Sequence, residues 1–236
     1  TVYPDANPET TSVDGFVRKT GGALEAFADV RAAIDGTAAD DTSTEQQLVR
    51  AHILATQYLI ARGFFLFDTS ALTAAATITA GTISFCQAST SPINTDTDTI
   101  YVVDSTPASN TGLVVGDFDQ LGATSYASLA FSSWSGTDGV YNDLALSNPA
   151  GIGQISKTSI TKFGTRSGRD LNNNAPTGDN LLQCYYADQT GTDKDPKLVI
   201  TYTVPGVKTI NGLATASVKT FNGLAIASVK TVNGLA

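Results

Sequence analysis

The residues able to do chemistry in this chain are one histidine, His52, two cysteines, Cys86 and Cys184, and three carboxylate pairs, Asp96 with Asp98, Asp117 with Asp119 and Asp193 with Asp195. With one histidine, a serine or cysteine triad has only one possible base. His52 lies in a dense apolar run, Leu48 to Ile60, where a packed or hydrogen-bonded ring is the expected role. A glycosidase needs two carboxylates converging on one cleft, and no pair is marked out for that. The nucleophile-elbow, phosphate-loop and zinc-protease motifs are absent from the sequence, so no enzyme activity is expected. Each aspartate pair offers two side chains at i, i+2 spacing, short of the ligand set of a calcium loop, and turn capping is their expected use. No cofactor is implied, although a structural calcium ion at one pair stays open. Cys86 and Cys184 sit in apolar, strand-like runs. They are expected either to pair as a disulfide across two strands in an oxidising compartment or to stay buried as free thiols.

The elements that would carry these residues are short and punctuated by turns. Charged residues make up 15% of the 236, and small polar residues fill the difference from an ordinary soluble domain. Strand patterns are read at Phe16–Arg18, Phe64–Phe67, Ala76–Cys86, Thr99–Val103, Ser125–Phe131, Asp143–Leu146, Leu181–Tyr186 and Lys197–Val204. Turn clusters such as Ser135-Gly136-Thr137-Asp138-Gly139 and Asn172-Asn173-Asn174 separate them. Residues 23–34 fit either a helix or a strand, and 36–44 read as a polar loop. Residues 44–61 have helix-forming content (Glu45, Gln46, Gln47) but also alternate as a strand does. The predicted class is all-β, a jelly-roll-like antiparallel sandwich, with a β-sandwich domain at 1–204 and a separate tail at 205–236.

That tail is the most unusual part of the sequence. Val207 to Ser217 returns as Val218 to Ser228 and begins again at Val229, ending at Ala236, a period of eleven residues. A plain strand alternates with period two, so an odd repeat would turn equivalent residues to opposite faces. A helix would carry an Asn-Gly pair in every copy, and glycine costs about 1 kcal/mol there relative to alanine. The pairs Asn211-Gly212, Asn222-Gly223 and Asn233-Gly234 are instead strong signals for tight hairpin turns. Arms so short bury little and need a partner surface. The residues expected to fill it are Val207, Ile210, Leu213, Val218, Phe221, Leu224, Ile226, Val229, Val232 and Leu235. The formal net charge is −8, and the tail holds three lysines and no acid, which leaves −11 for the remainder. A basic tail on an acidic body suits attraction between copies. The acidic balance argues against nucleic acid as a partner.

No apolar run is long enough to span a membrane as a helix. The sequence contains no methionine, which is expected of a chain that has lost an N-terminal segment.

Several segments resemble the disaggregatase-related (DNRLRE-type) β-sandwich domains of bacterial, archaeal and phage surface proteins. They are Thr1-Val2-Tyr3-Pro4-Asp5, Pro8 to Gly15, Arg62 to Leu72 with Ala76-Thr77-Ile78, Tyr185 to Gly191, and Asp195 to Tyr202. The resemblance spans roughly residues 1–203. It implies a sandwich with a structural or carbohydrate-associated role, supplies no catalytic set, and favours a strand over 46–54. Two functions follow as expectations. The first is a structural protein of an extracellular filament or virion (a pilus-like fibre, or a phage tail, fibre or head decoration) that assembles with copies of itself through its repeats. The second is a carbohydrate-binding or adhesion module for surface glycans, attached to a larger surface protein; an exposed Trp134, Tyr141, Tyr185 or Tyr186 could stack on a sugar ring, but a place in the core or at its rim is the commoner role of such residues at strand ends. Both place the protein outside the cell, on its surface or in a virion.

Overall fold

The structure is a computed structural model that describes residues 1–88 and 92–205, together with the backbone of four two-residue segments further on. In chain order the elements are β1 (Asp14–Thr20), α1 (Phe27–Arg31), β2 (Ala38–Asp40), β3 (Glu45–Leu54), β4 (Gln57–Asp68), β5 (Thr77–Cys86), β6 (Ile93–Asn94), β7 (Thr99–Asp104), β8 (Ala127–Ala130), β9 (Tyr141–Ala145), β10 (Ile160–Ser167), α2 (Gly168–Leu171), β11 (Asp179–Tyr185) and β12 (Lys197–Thr203). The fold is all-β and antiparallel. Two sheets form a sandwich, one of nine strands ordered β6-β11-β3-β4-β10-β7-β8 with β1 and β2 attached through β4, and one of three strands ordered β12-β5-β9.

Strand β4 is the organiser. Its even residues Ile60, Phe64 and Leu66 and its odd residues Ala61, Phe65 and Phe67 are all buried, because both faces of the large sheet are covered. The odd face packs against Ile83, Phe85, Leu144 and Leu198 of the small sheet, with Phe65 and Phe85 ring centroids 4.7 Å apart. The even face packs against Phe27 and Val30 of α1 and against Leu113 and Phe118 of the long loop after β7.

One edge of β4 is shared by two partners. β1 pairs along residues 59–65, so β3 (opposite 57–62) and β10 (opposite 63–68) must occupy the other edge end to end. They meet at Gly63, where an added Cβ would lie 2.5 Å from Thr165 Oγ1 and 2.8 Å from the Leu48 carbonyl oxygen. Only a residue without a side chain fits that junction. Leu48 is itself the extra residue of a bulge, since Val49 faces Leu182 and Gln47 faces Gln183. The bulge lets neighbours Leu48 and Val49 enter the same core and turns the Leu48 carbonyl to accept a 2.7 Å hydrogen bond from Thr165 Oγ1.

Residues 46–54 are a strand despite their helix-forming side chains, because β4 and β11 offer pairing on both edges. Two features differ from expectation. The 36–44 segment holds the short strand β2, and β10, which the sequence reading omits, is central to the large sheet. The alternation in β10 is masked by Lys162, Gly164 and Arg166, so no apolar pattern stands out.

Beyond residue 205 the described backbone forms two small antiparallel pairs: β13 (Thr209–Ile210) with β14 (Leu213–Ala214), and β15 (Thr220–Phe221) with β16 (Leu224–Ala225). Each pair flanks an Asn-Gly.

Candidate functional site

The residues with catalytic potential are engaged in holding the fold. His52 Nδ1 lies 3.7 Å from Asp179 Oδ1, and Asp179 is already held by two hydrogen bonds from Arg50, at 2.9 and 2.6 Å. Desolvation lowers the histidine pKa, with Asp179 opposing the effect. Cys86 and Cys184 are free thiols, both fully buried, and burial raises the pKa of each. Their strands meet where Gln87 bridges Cys184, joining the two sheets at one end.

The three aspartate pairs do not converge. Asp96 accepts from the Thr177 and Gly178 amides (2.7 and 3.2 Å), from the Thr177 hydroxyl and from Asn180 Nδ2. Although burial works against it, these bonds bring its pKa down to about 2. Asp98 is buried and accepts from Ser167 Oγ at 2.7 Å and from the Thr99 and Arg169 amides. Asp117 caps the Ala108 and Val114 amides, and Asp119 accepts from Gln120. Asp195 accepts from Gln189 Nε2 at 2.7 Å, and burial, aided by Asp188 and Asp193, pushes its pKa up to about 6. Among the described residues no three acidic, histidine or cysteine side chains are grouped to hold a metal ion.

The densest polar cluster was not legible in the sequence. Asp170, with no exposed side-chain surface, is gripped bidentately by Arg62 (2.9 and 2.7 Å) and by Arg166 (2.8 and 2.8 Å). Arg62 also donates to the Phe118 and Arg31 carbonyls and lies over the Phe118 ring at 4.0 Å. Arg31 donates to the Asp170 and Leu171 carbonyls. The paired guanidinia hold the Asp170 carboxyl far below the usual carboxylate range, overriding its burial. Ser167 caps the short α2 that presents Asp170, accepting from the Arg169 and Asp170 amides. The cluster ties β4, β10, α1, α2 and the loop around Phe118 together. Arg62, Arg166 and Asp170 are buried and their charges are met by one another and by carbonyl groups, which marks a structural clamp. The one trace of it in the sequence is Arg62, an isolated charge inside the apolar run Leu59 to Phe67.

The proposed glycan platforms are occupied as well. Trp134 is 5% exposed, and its Nε1 donates to Gln87 Oε1 at 2.6 Å. Tyr186 is buried and donates to the Gln47 carbonyl. Tyr141 carries Lys197 Nζ over its ring at 3.4 Å, and Tyr185 carries Lys194 at 4.1 Å. Trp134 thus takes the place in the core or at its rim expected of a tryptophan at a strand end, because its ring area and its N–H both find partners there.

What remains open is an edge. β12 is the outer strand of the small sheet. On its free side Leu198 exchanges two 2.9 Å hydrogen bonds with Val2, and among the described residues nothing pairs beyond that point. Val199, Tyr202 and Val204 are exposed at 38%, 43% and 44%. A groove of about 160 Å³ opens beside this edge, lined by Val2, Asp68, Leu72, Ile200 and Tyr202 among others. The chain then runs from this edge into the repeats.

Of the residues expected to form the assembly tail, Ile210, Leu213, Phe221 and Leu224 fall within the two short backbone pairs. Val207, Val218, Ile226, Val229, Val232 and Leu235 lie outside the described residues.

No known protein family matches this chain, and no curated protein does. Among the described residues no helix is long and apolar enough to cross a membrane.

Proposed function

We propose that this chain is a non-catalytic structural subunit of an extracellular filament or virion, with residues 1–204 as its body and 205–236 as its means of assembly. The observation that carries the reading is the continuity between the edge strand β12, whose outer side has no partner beyond Val2 among the described residues, and a repeated tail whose described arms are two residues long. A hairpin with such arms is marginal in water by itself, and an exposed sheet edge is a template for another chain. The engagement of His52 with Asp179, and of Asp96, Asp98, Asp117, Asp195 and Asp170 with other groups of the fold, supports a non-catalytic role. The burial of Trp134 and Tyr186 counts against the glycan-binding alternative.

Deleting residues 207–236 tests the proposal. The full chain is expected to form oligomers or polymers by sedimentation velocity and electron microscopy, and the truncated chain to remain monomeric with an unchanged unfolding temperature. Identical polymers from the truncated chain would refute it.

A further inference from the structure

Granting that the repeats mediate assembly, we infer that they dock on the open outer edge of β12 in a second copy of this chain, with an apolar residue in the adjoining groove and a lysine against Asp68. Leu198 spends both its backbone groups on Val2, so in an antiparallel strand the next outward-facing N–H and C=O belong to Ile200. No described residue bonds them, and an incoming strand would continue the ladder from there by β-strand addition.

The groove beside Ile200 has room for about one large aliphatic side chain, and its apolar lining comes from Val2, Leu72 and Ile200. Asp68 supplies a carboxylate in the same lining. It accepts from the Ser70 amide at 3.0 Å, its pKa is lowered chiefly by bonds from Ser70, and no cation pairs with it among the described residues.

The repeats match this lining. Each copy places a lysine two residues before an apolar residue: Lys208 and Ile210, Lys219 and Phe221, Lys230 and Val232. In an extended strand, residues two apart share a face, about 7 Å from each other. Extended against the edge, each repeat would therefore present an apolar side chain to the groove and an ammonium to Asp68 from one face. The tail of +3 would meet a body of −11, which favours the approach of a neighbour. The chain's own described arms pair with one another and not with β12, leaving its edge to another copy.

The deciding experiment is a charge swap in the full chain, read by sedimentation velocity at low salt. Asp68→Lys is expected to abolish assembly, and adding Lys208→Glu, Lys219→Glu and Lys230→Glu to the same chain is expected to restore it. Ile200→Pro, which removes the outward N–H without touching the ladder to β5, is expected to block assembly while circular dichroism shows a folded body. If Asp68→Lys assembles like the unaltered chain, or is not rescued by the three glutamates, the inference falls. Should that happen while deletion of 207–236 still prevents assembly, the tail remains the assembly device and only its docking site is wrong. If the unaltered chain does not assemble, or the truncated chain does, the proposed function falls together with this inference.

Discussion

Arg62 on β4 and Asp170 on α2, 108 residues apart in sequence, form a buried bidentate ion pair with N–O distances of 2.9 and 2.7 Å. Arg166 grips the same carboxylate from β10, so one buried acid holds two arginines whose side chains are almost fully enclosed. Removing the acid would leave both guanidinia buried with carbonyl partners alone.

Asp170→Ala is therefore expected to destabilise the fold by about 3–5 kcal/mol, the usual cost of breaking a buried pair from one side. Urea unfolding followed by circular dichroism measures it. A loss below about 1 kcal/mol would show that the carbonyls suffice for the two arginines.

Trp134 is the sole tryptophan, so intrinsic fluorescence reports one site. Its burial predicts blue-shifted emission and weak quenching by acrylamide in the native protein, with a red shift on unfolding. Monosaccharides and oligosaccharides are expected to leave the spectrum unchanged. A saturable spectral response to a sugar would return the glycan reading to consideration. Trp134→Ala is expected to cost about 3–5 kcal/mol through loss of its packing.

The pH dependence of stability has a definite sign. Burial raises the Asp195 pKa to about 6 and raises those of Asp14, Asp188 and Glu9, so their ionised forms are penalised in the folded state. An acid whose folded pKa exceeds its unfolded value destabilises the fold above that folded pKa. The penalty is relieved as pH falls toward the unfolded value. Stability should thus rise on acidification from about pH 7 to about pH 4.5, with His52, whose pKa is lowered, giving a smaller opposing slope. Below about pH 4 it should fall, because Asp96, Asp170, Asp5 and Asp40 have lowered pKa values and lose their bonds on protonation. Thermal unfolding across this range checks the curve. Asp195→Asn, which keeps the acceptor for Gln189, should flatten the rise between about pH 6 and pH 4.

Cys86 and Cys184 are expected to resist a thiol reagent in the native protein, since both are fully buried. In denaturant without reductant, both should react. Recovery of fewer than two thiols would reveal a disulfide formed between the strands that Gln87 bridges.

Much of the sandwich was readable from local pattern. The apolar run Phe64–Phe67 and the patterns at Ala76–Cys86 and Thr99–Val103 announce strands because side chains of a pleated chain must sort by face. β10 escaped because Lys162, Gly164 and Arg166 interrupt its pattern. Arg166 is nevertheless buried, its charge met by Asp170 four residues on, where the chain turns from β10 into α2 and the distant Arg62 joins the same carboxylate. Trp134 was ambiguous for a related reason: whether an aromatic ring at a strand end faces water or core depends on what the other sheet brings to it, here Gln87.

By itself the sequence determined the all-β class, the positions of most strands, the absence of recognisable enzyme motifs, and the basic, three-fold repeat with its Asn-Gly punctuation. These follow from periodicity, turn chemistry and composition, which act over a few residues. The tertiary structure decided between helix and strand for residues 46–54, whose own side chains read both ways, and it alone decided that Asp170 joins Arg166 to the distant Arg62 and that, among the described residues, the outer edge of β12 pairs only with Val2. Those outcomes depend on which segments become neighbours. Pairing, burial and charge compensation are relations between residues far apart in the chain, and only the assembled sheets bring them into contact.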